Sequence, residues 1–379
     1  MENGIGLGTL WDGGLMYIIP FLFVLTVIVF FHELGHYLVG RWCGIRSLAF
    51  SVGFGPELLG VTDKRGTRWK LSAIPLGGYV KFFGDESAAS TPDREAVSAM
   101  NADERREAFP TASVGRRAAT VAAGPIANFI LAIVIFAAVA FVNGRTVADP
   151  IVADVVAGSP AEAAGFEAGD RIDAVDGNPI TYFSDLQNYV SGHGEQPIVV
   201  TVDRGGRTLD LDVTPRIEER DDGFGKTYNV PVIGIIASGD ASSFRTEELG
   251  PLQAFGYGVE QTWFVTTRTV DFIGQVITGR QNADQIGGPI RIAQVSGEVS
   301  NLGLGALLNL AALLSVSIGL LNLLPIPMLD GGHLLFYAFE AIRGKPLSEN
   351  VQEVGFRIGL ALVMMLMVFA FWNDLSGLT

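Results

Sequence analysis

His32 and His36 stand four residues apart in the run His32-Glu33-Leu34-Gly35-His36. On an α-helix, positions i and i+4 share one face. Two imidazoles at that spacing can hold one zinc ion, and the carboxylate between them is free to act as a base. Five-residue runs arise by chance, so the surroundings decide the weight of this one. It closes an apolar stretch, since no residue between Asp12 and Glu33 is charged. A charge at the centre of a membrane helix costs roughly 2.5–3.5 kcal/mol. Three ionisable groups in five residues therefore need a compensating partner, and a divalent cation is one. Catalytic zinc also needs a third protein ligand. The candidates lie in NLLPIPMLDGGH, residues 322–333, where Asp330 follows 31 uncharged residues. On chemistry alone Asp330 and His333 compete for that place. Pro325 and Pro327 break the helix there, and Gly331 and Gly332 let the backbone turn sharply. Asn322 can bond a substrate backbone or a developing oxyanion, or it can satisfy carbonyls freed by Pro325.

These groups are positioned by apolar segments. Charges are missing between Asp12 and Glu33, Arg117 and Arg145, Glu298 and Asp330, and Arg357 and Asp374. A helix crosses the ~30 Å hydrocarbon core with about 20 residues. Three stretches meet this, and Val354–Trp372 does so if Arg357 snorkels. The fold class expected is a polytopic α-helical membrane protein with four transmembrane helices, a membrane-associated β-hairpin and an inserted α/β domain. The first span lacks the basic start and small-residue cleavage site of a signal peptide. Arg41, Arg46, Arg105, Arg106, Arg116, Arg117, Arg343 and Lys345 place residues 41–117 and 331–352 in the cytoplasm. Both termini and residues 145–297 are then external.

The expected division is a membrane part at 1–149, an external domain at 150–215, a linker with an interfacial or packing helix at 216–297, and a second membrane part at 298–379. In the external domain, Ser159-Pro160 caps a short helix that stops at Gly165. Asp176-Gly177 and Gly205-Gly206 are tight turns between strands, and Ser184-Asp185-Leu186-Gln187 is a capping box. The run VVAGSPAEAAGFEAGDRIDAVDGNPI resembles a PDZ domain, a module that binds peptide ends by strand addition. Residues 68–84 read as two short strands around Pro75-Leu76-Gly77-Gly78.

HELGH in the first span and NLLPIPMLDGG in the third resemble the site-2 protease family of intramembrane zinc metalloproteases. GPIAN at 124–128 and PLGGYVKFFGD at 75–85 resemble two further motifs of that family. An external PDZ is similar to its bacterial RseP subgroup, here with one recognisable PDZ domain. The resemblance implies Zn²⁺ held by His32, His36 and Asp330, with Glu33 as general base. It implies that Gly124 and Asn128 let spans pack closely and fix the site. It also implies that Asn322 and the strand edge at Gly77, Gly78 and Tyr79 bind an unwound substrate. The substrates implied are single-pass proteins of a bacterial cytoplasmic membrane, such as a trimmed anti-sigma factor or a remnant signal peptide. A non-catalytic PDZ-bearing membrane scaffold is the alternative, and an intact Glu33 argues against it.

Composition agrees. Only 17% of the 379 residues are charged and 49% are hydrophobic, against about 25% charged in soluble domains. The net charge of −14 argues against a nucleic-acid partner. A single cysteine, Cys43, excludes an intrachain disulfide and any cysteine-rich metal site.

Overall fold

A computed structural model describes residues 7–85, 94–221, 227–237, 244–279 and 287–376. The chain begins with α1 (Leu7–Trp42), β1 (Ser47–Thr62), β2 (Arg68–Phe82), α2 (Arg94–Ala99), α3 (Ala102–Glu107) and α4 (Val114–Asn143). Next come β3 (Arg145–Ala148), β4 (Val152–Val155), α5 (Pro160–Ala164), β5 (Arg171–Val175), β6 (Asn178–Pro179) and α6 (Phe183–His193). Strands β7 (Ile198–Arg204), β8 (Arg207–Val213), β9 (Arg216–Asp221), β10 (Thr227–Val232), β11 (Ile235–Ala237) and β12 (Phe244–Glu247) follow. The last helices are α7 (Pro251–Ile277), α8 (Pro289–Ser300), α9 (Leu304–Asn322), α10 (Asp330–Arg343) and α11 (Glu349–Ser376). Contacts divide the chain into two units, the second made mainly of residues 140–250.

Among the described residues of the first unit, four helices are long and apolar enough to cross a membrane: Gly14–Trp42, Val114–Asn143, Leu304–Asn322 and Asn350–Ser376. The fourth extends past the expected Val354–Trp372, and Arg357 within it pairs with Glu353 one turn earlier at 2.6 Å. The core joins Val24 and Ile28 of α1, Ala132 and Ile135 of α4, and Leu307, Ala311 and Val316 of α9. In lipid the hydrophobic effect does not draw helices together, so close backbone approach through small residues does. A Cβ on Gly35 would meet the Ala123 carbonyl of α4 and lie 2.7 Å from Ala127 Cβ. One on Gly258 would stand 2.5 Å from the Ile133 carbonyl oxygen, which makes α7 a packing helix.

The expected pair of strands in 68–84 is present but does not form a hairpin. Both halves of β2 pair with β1 instead. Ala49–Val52 has Arg68–Leu71 on one side and Gly78–Lys81 on the other, while Leu59–Thr62 pairs with Arg68–Leu71. The partner strand, Ser47–Thr62, carries no strand signature in the sequence, because its apolar residues do not alternate and three glycines interrupt it. The sheet is seated by Phe50, Val80 and Phe82, which pack with Tyr37, Phe109 and Tyr337.

Asp85 follows β2 and is 4% exposed. Burial, offset only in part by the Phe82 amide and the Lys81 charge, pushes its pKa up to about 8. A carboxyl with a raised folded pKa holds its proton longer when folded. Stability is then greatest below the unfolded value of about 3.9 and falls as pH rises toward the folded one. Asp85→Asn is expected to raise the unfolding midpoint more at about pH 8.5 than at about pH 4.5. Equal shifts at both, read by thermal melts, would show that the carboxyl is not held neutral.

The second unit buries Val152, Ile172, Val175, Leu186, Ile198, Val200 and Val202 around the sheet β6-β5-β7-β8. The inward residues of β7 alternate, as period two requires. Ser159 caps α5 and Gly165 ends it in the left-handed region. The capping at α6 differs from the expected box. The helix starts at Phe183, and Asp185 accepts from the Thr181 and Tyr182 amides at 3.1 and 2.9 Å. Residues 216–249, expected within a linker, carry β9–β12 in their described parts. Ile233 enters the core, β11 pairs with β4, and β12 pairs with β3. The run VPVIGII reads as a short strand, but its place in the core is concealed because Pro231 and Gly234 interrupt it and its strand partner lies some 80 residues earlier.

Candidate active site

His32, Glu33 and His36 leave α1 within a little over one turn, and Asp330 is the first residue of α10. His32 Nε2 stands 3.2 Å from His36 Nε2 and 3.2 Å from Asp330 Oδ2. His36 Nε2 stands 3.6 Å from Asp330 Oδ1. Among the described residues this is the one cluster of three that could hold a metal ion. Ligand atoms ~2.0–2.2 Å from a tetrahedral centre lie about 3.3–3.6 Å from one another, so the spacing fits zinc.

The hydrogen bonding fits as well. His36 Nδ1 is 2.9 Å from the Thr120 carbonyl oxygen. A carbonyl only accepts, so Nδ1 carries the proton and Nε2 of the neutral ring is a bare lone pair. That lone pair faces His32 Nε2 and the Asp330 carboxylate. With His32 Nε2 also bare, the three groups are acceptors converging on one point, which a cation satisfies.

Gly124 explains part of the GPIAN run. A Cβ there would fall on His36 Nε2, so only glycine lets α4 pass behind the ligand. The Thr120 carbonyl had no signal in the sequence, because every residue carries one. Between α4 and α10, Arg117 and Glu340 pair at 2.6 Å with each side chain 13% exposed. The Arg117 guanidinium lies 4.8 Å from the Tyr337 ring centre.

A cavity of about 200 Å³ adjoins the cluster and is lined by Glu33, Gly78, Tyr79, Asn322, Asp330 and His333, among others. Val80 lines the cavity beside Glu33. Gly78 must be glycine, since a Cβ would stand 2.8 Å from the Ser51 carbonyl and 2.9 Å from Glu33 Cγ. Gly77 does not line the cavity; with φ +126 and its Cβ position 2.5 Å from the Phe54 ring, it bends the strand. His333 shares the cavity but not the cluster. Its ring lies 5.4 Å from Phe356 and 6.4 Å from Tyr337, centre to centre.

The sharp turn before α10 falls on Met328, with φ 93, and not on the two glycines expected to make it. Gly331 and Gly332 are helical. A Cβ on the first would fall on the Leu323 and Leu324 carbonyls, and on the second on the Ile326 carbonyl. They are there for close approach, which seats α10 on the broken backbone of 323–327. Gly359 of α11 packs the same way against the Pro327 carbonyl.

A model of peptidase family M50 matches residues 20–366. The chain is 57% identical over 362 residues to a protein of Agrobacterium fabrum named as a candidate zinc metalloprotease, covering 96% of each. It is 42% identical over 386 aligned positions to the metalloprotease MmpA of Caulobacter vibrioides, again covering 96% of each. Among solved structures it is similar to the PDZ domain of an SdrC-like protein from Listeria monocytogenes. That match is 23% identical, covers 23% of this chain and 84% of that one, and has a TM-score of 0.20.

Proposed function

The chain belongs to peptidase family M50, the site-2 proteases, and is a multi-pass membrane zinc metalloprotease; from that premise we propose that it cuts the transmembrane segments of single-pass membrane proteins. The observation that carries this is the placement of the chemistry. His32, Glu33 and His36 all lie on the Gly14–Trp42 span, with Asp330 brought to them.

His32, His36 and Asp330 would hold zinc, which would supply Lewis acidity toward the scissile carbonyl and the attacking water. Glu33, on the cavity wall, takes a proton from the attacking water and passes it to the leaving amine. Asn322, on the same wall, bonds the substrate backbone or the oxyanion. A substrate helix hides its peptide bonds in its own hydrogen bonds, so it must be unwound first. The main chain at Gly78–Val80 receives it as an added strand, with Gly77 setting the bend and Tyr79 stacked on Phe54. The unit of residues 140–250 acts as a PDZ domain that meets a trimmed peptide end. In vesicles, a single-pass substrate should be cut, cutting should stop on chelation, and added zinc should restore it. A scaffold would bind such substrates without any cleavage.

The charge pattern supports a cytoplasmic-membrane orientation with residues 145–297 and both termini external. On a Cys43→Ser background, Arg207→Cys should react with an impermeant thiol reagent in intact spheroplasts, and Arg106→Cys should not. The reverse labelling pattern would invert the orientation.

A further inference from the structure

Asn128 is 0% exposed, and its backbone is tethered, because Ser315 Oγ of α9 donates to its carbonyl at 2.9 Å. Its side-chain amide meets His32, with Nδ2 3.3 Å from the ring Nδ1, while its Oδ1 has no hydrogen-bond partner. The two ends of an amide exchange places on a half-turn of its terminal torsion, and the two settings impose different tautomers on His32. If Nδ2 donates, Nδ1 is bare and the proton sits on Nε2, pointing at His36 and Asp330. That proton would occupy the place of a cation. If Oδ1 accepts, Nδ1 carries the proton, Nε2 is bare, and the buried Oδ1 gains a partner.

Only the second setting makes His32 a ligand. It also repeats what α4 does eight residues earlier, where the Thr120 carbonyl holds His36 in the same tautomer. We propose that Asn128 is the positioning residue for His32, its amide oxygen accepting the Nδ1 proton so that Nε2 is presented bare to zinc. One helix, α4, thus sets the tautomer of both histidines of α1. Outer hydrogen bonds of this kind fix ring orientation and raise ligand basicity. The inference rests on the zinc site proposed above and adds a residue that does not touch the metal.

The test is zinc affinity of the purified full-length protein, measured by competition with a chromophoric chelator. Asn128→Leu keeps the size and removes the acceptor. Asn128→Asp keeps an acceptor and has no donor. Zinc binding by the Leu variant is expected to weaken about 10–100-fold, while the Asp variant stays within a few-fold of the parent. A purely structural role predicts the opposite order, because a buried carboxylate is the harsher change for packing. The proposal is overturned if the Leu variant binds zinc as the parent does, or if the Asp variant loses as much as Leu. Absence of zinc binding in the parent itself would instead overturn the reading of the site.

Discussion

Glu33→Gln is expected to keep its zinc and to lose turnover by at least about 10²-fold, the low end of what a positioned general base contributes. The glutamine matches the carboxylate in shape, so the wall of the cavity is preserved. It cannot accept a proton from water. Glu33 lies outside the cluster of converging ligand atoms, which contains His32, His36 and Asp330. Metal content should therefore stay near one zinc per chain, the stoichiometry of a single three-ligand site, and substrate should accumulate bound. Metal analysis and single-turnover cleavage check this together. Near-normal cleavage by a zinc-loaded Glu33→Gln protein would remove the base from the mechanism.

Asp330→Ala should strip the metal, while His333→Ala should leave it in place. The two residues are three apart on α10 and border one cavity, so a general disturbance of that helix would affect both alike. The distances separate them. Asp330 reaches His32 and His36 at 3.2 and 3.6 Å, whereas the His333 ring is packed beside Phe356 and Tyr337. Removing Asp330 leaves two ligands and no anionic one. Zinc retained by Asp330→Ala and lost by His333→Ala would reverse the assignment.

The spans and the two histidines are legible because each has a strong local signature, whereas the choice of Asp330 over His333 rests on the family resemblance. Long uncharged runs can be little else, and the spacing of His32 and His36 is a property of one helix turn. Asp330 stood out because a lone carboxylate after 31 uncharged residues has to be explained. What stayed hidden depends on distant pairing. Asn128 meets His32 across 96 residues, and a glycine gives no hint of whether it bends the chain or clears space for a neighbour. Gly331 and Gly332 suggest the first and do the second. VPVIGII reads as one short strand, but the pairings after Arg216 stay hidden, because each strand is short and β11 and β12 find their partners far away in the chain.

Span four adds no group to the metal cluster, yet it stands directly behind Asp330, the proposed third ligand. Gly359 lies against Pro327, Pro327 against Gly332, and Gly332 is two residues from Asp330. The stack transmits thickness: one methyl group added at residue 359 displaces backbone, because the atoms nearest to it are the main chain of Pro327. Tolerance to mutation therefore does not fade with distance from the metal. It follows this column of bare backbone outward to the lipid-facing helix, where a substitution far from any reacting atom acts on the site from behind.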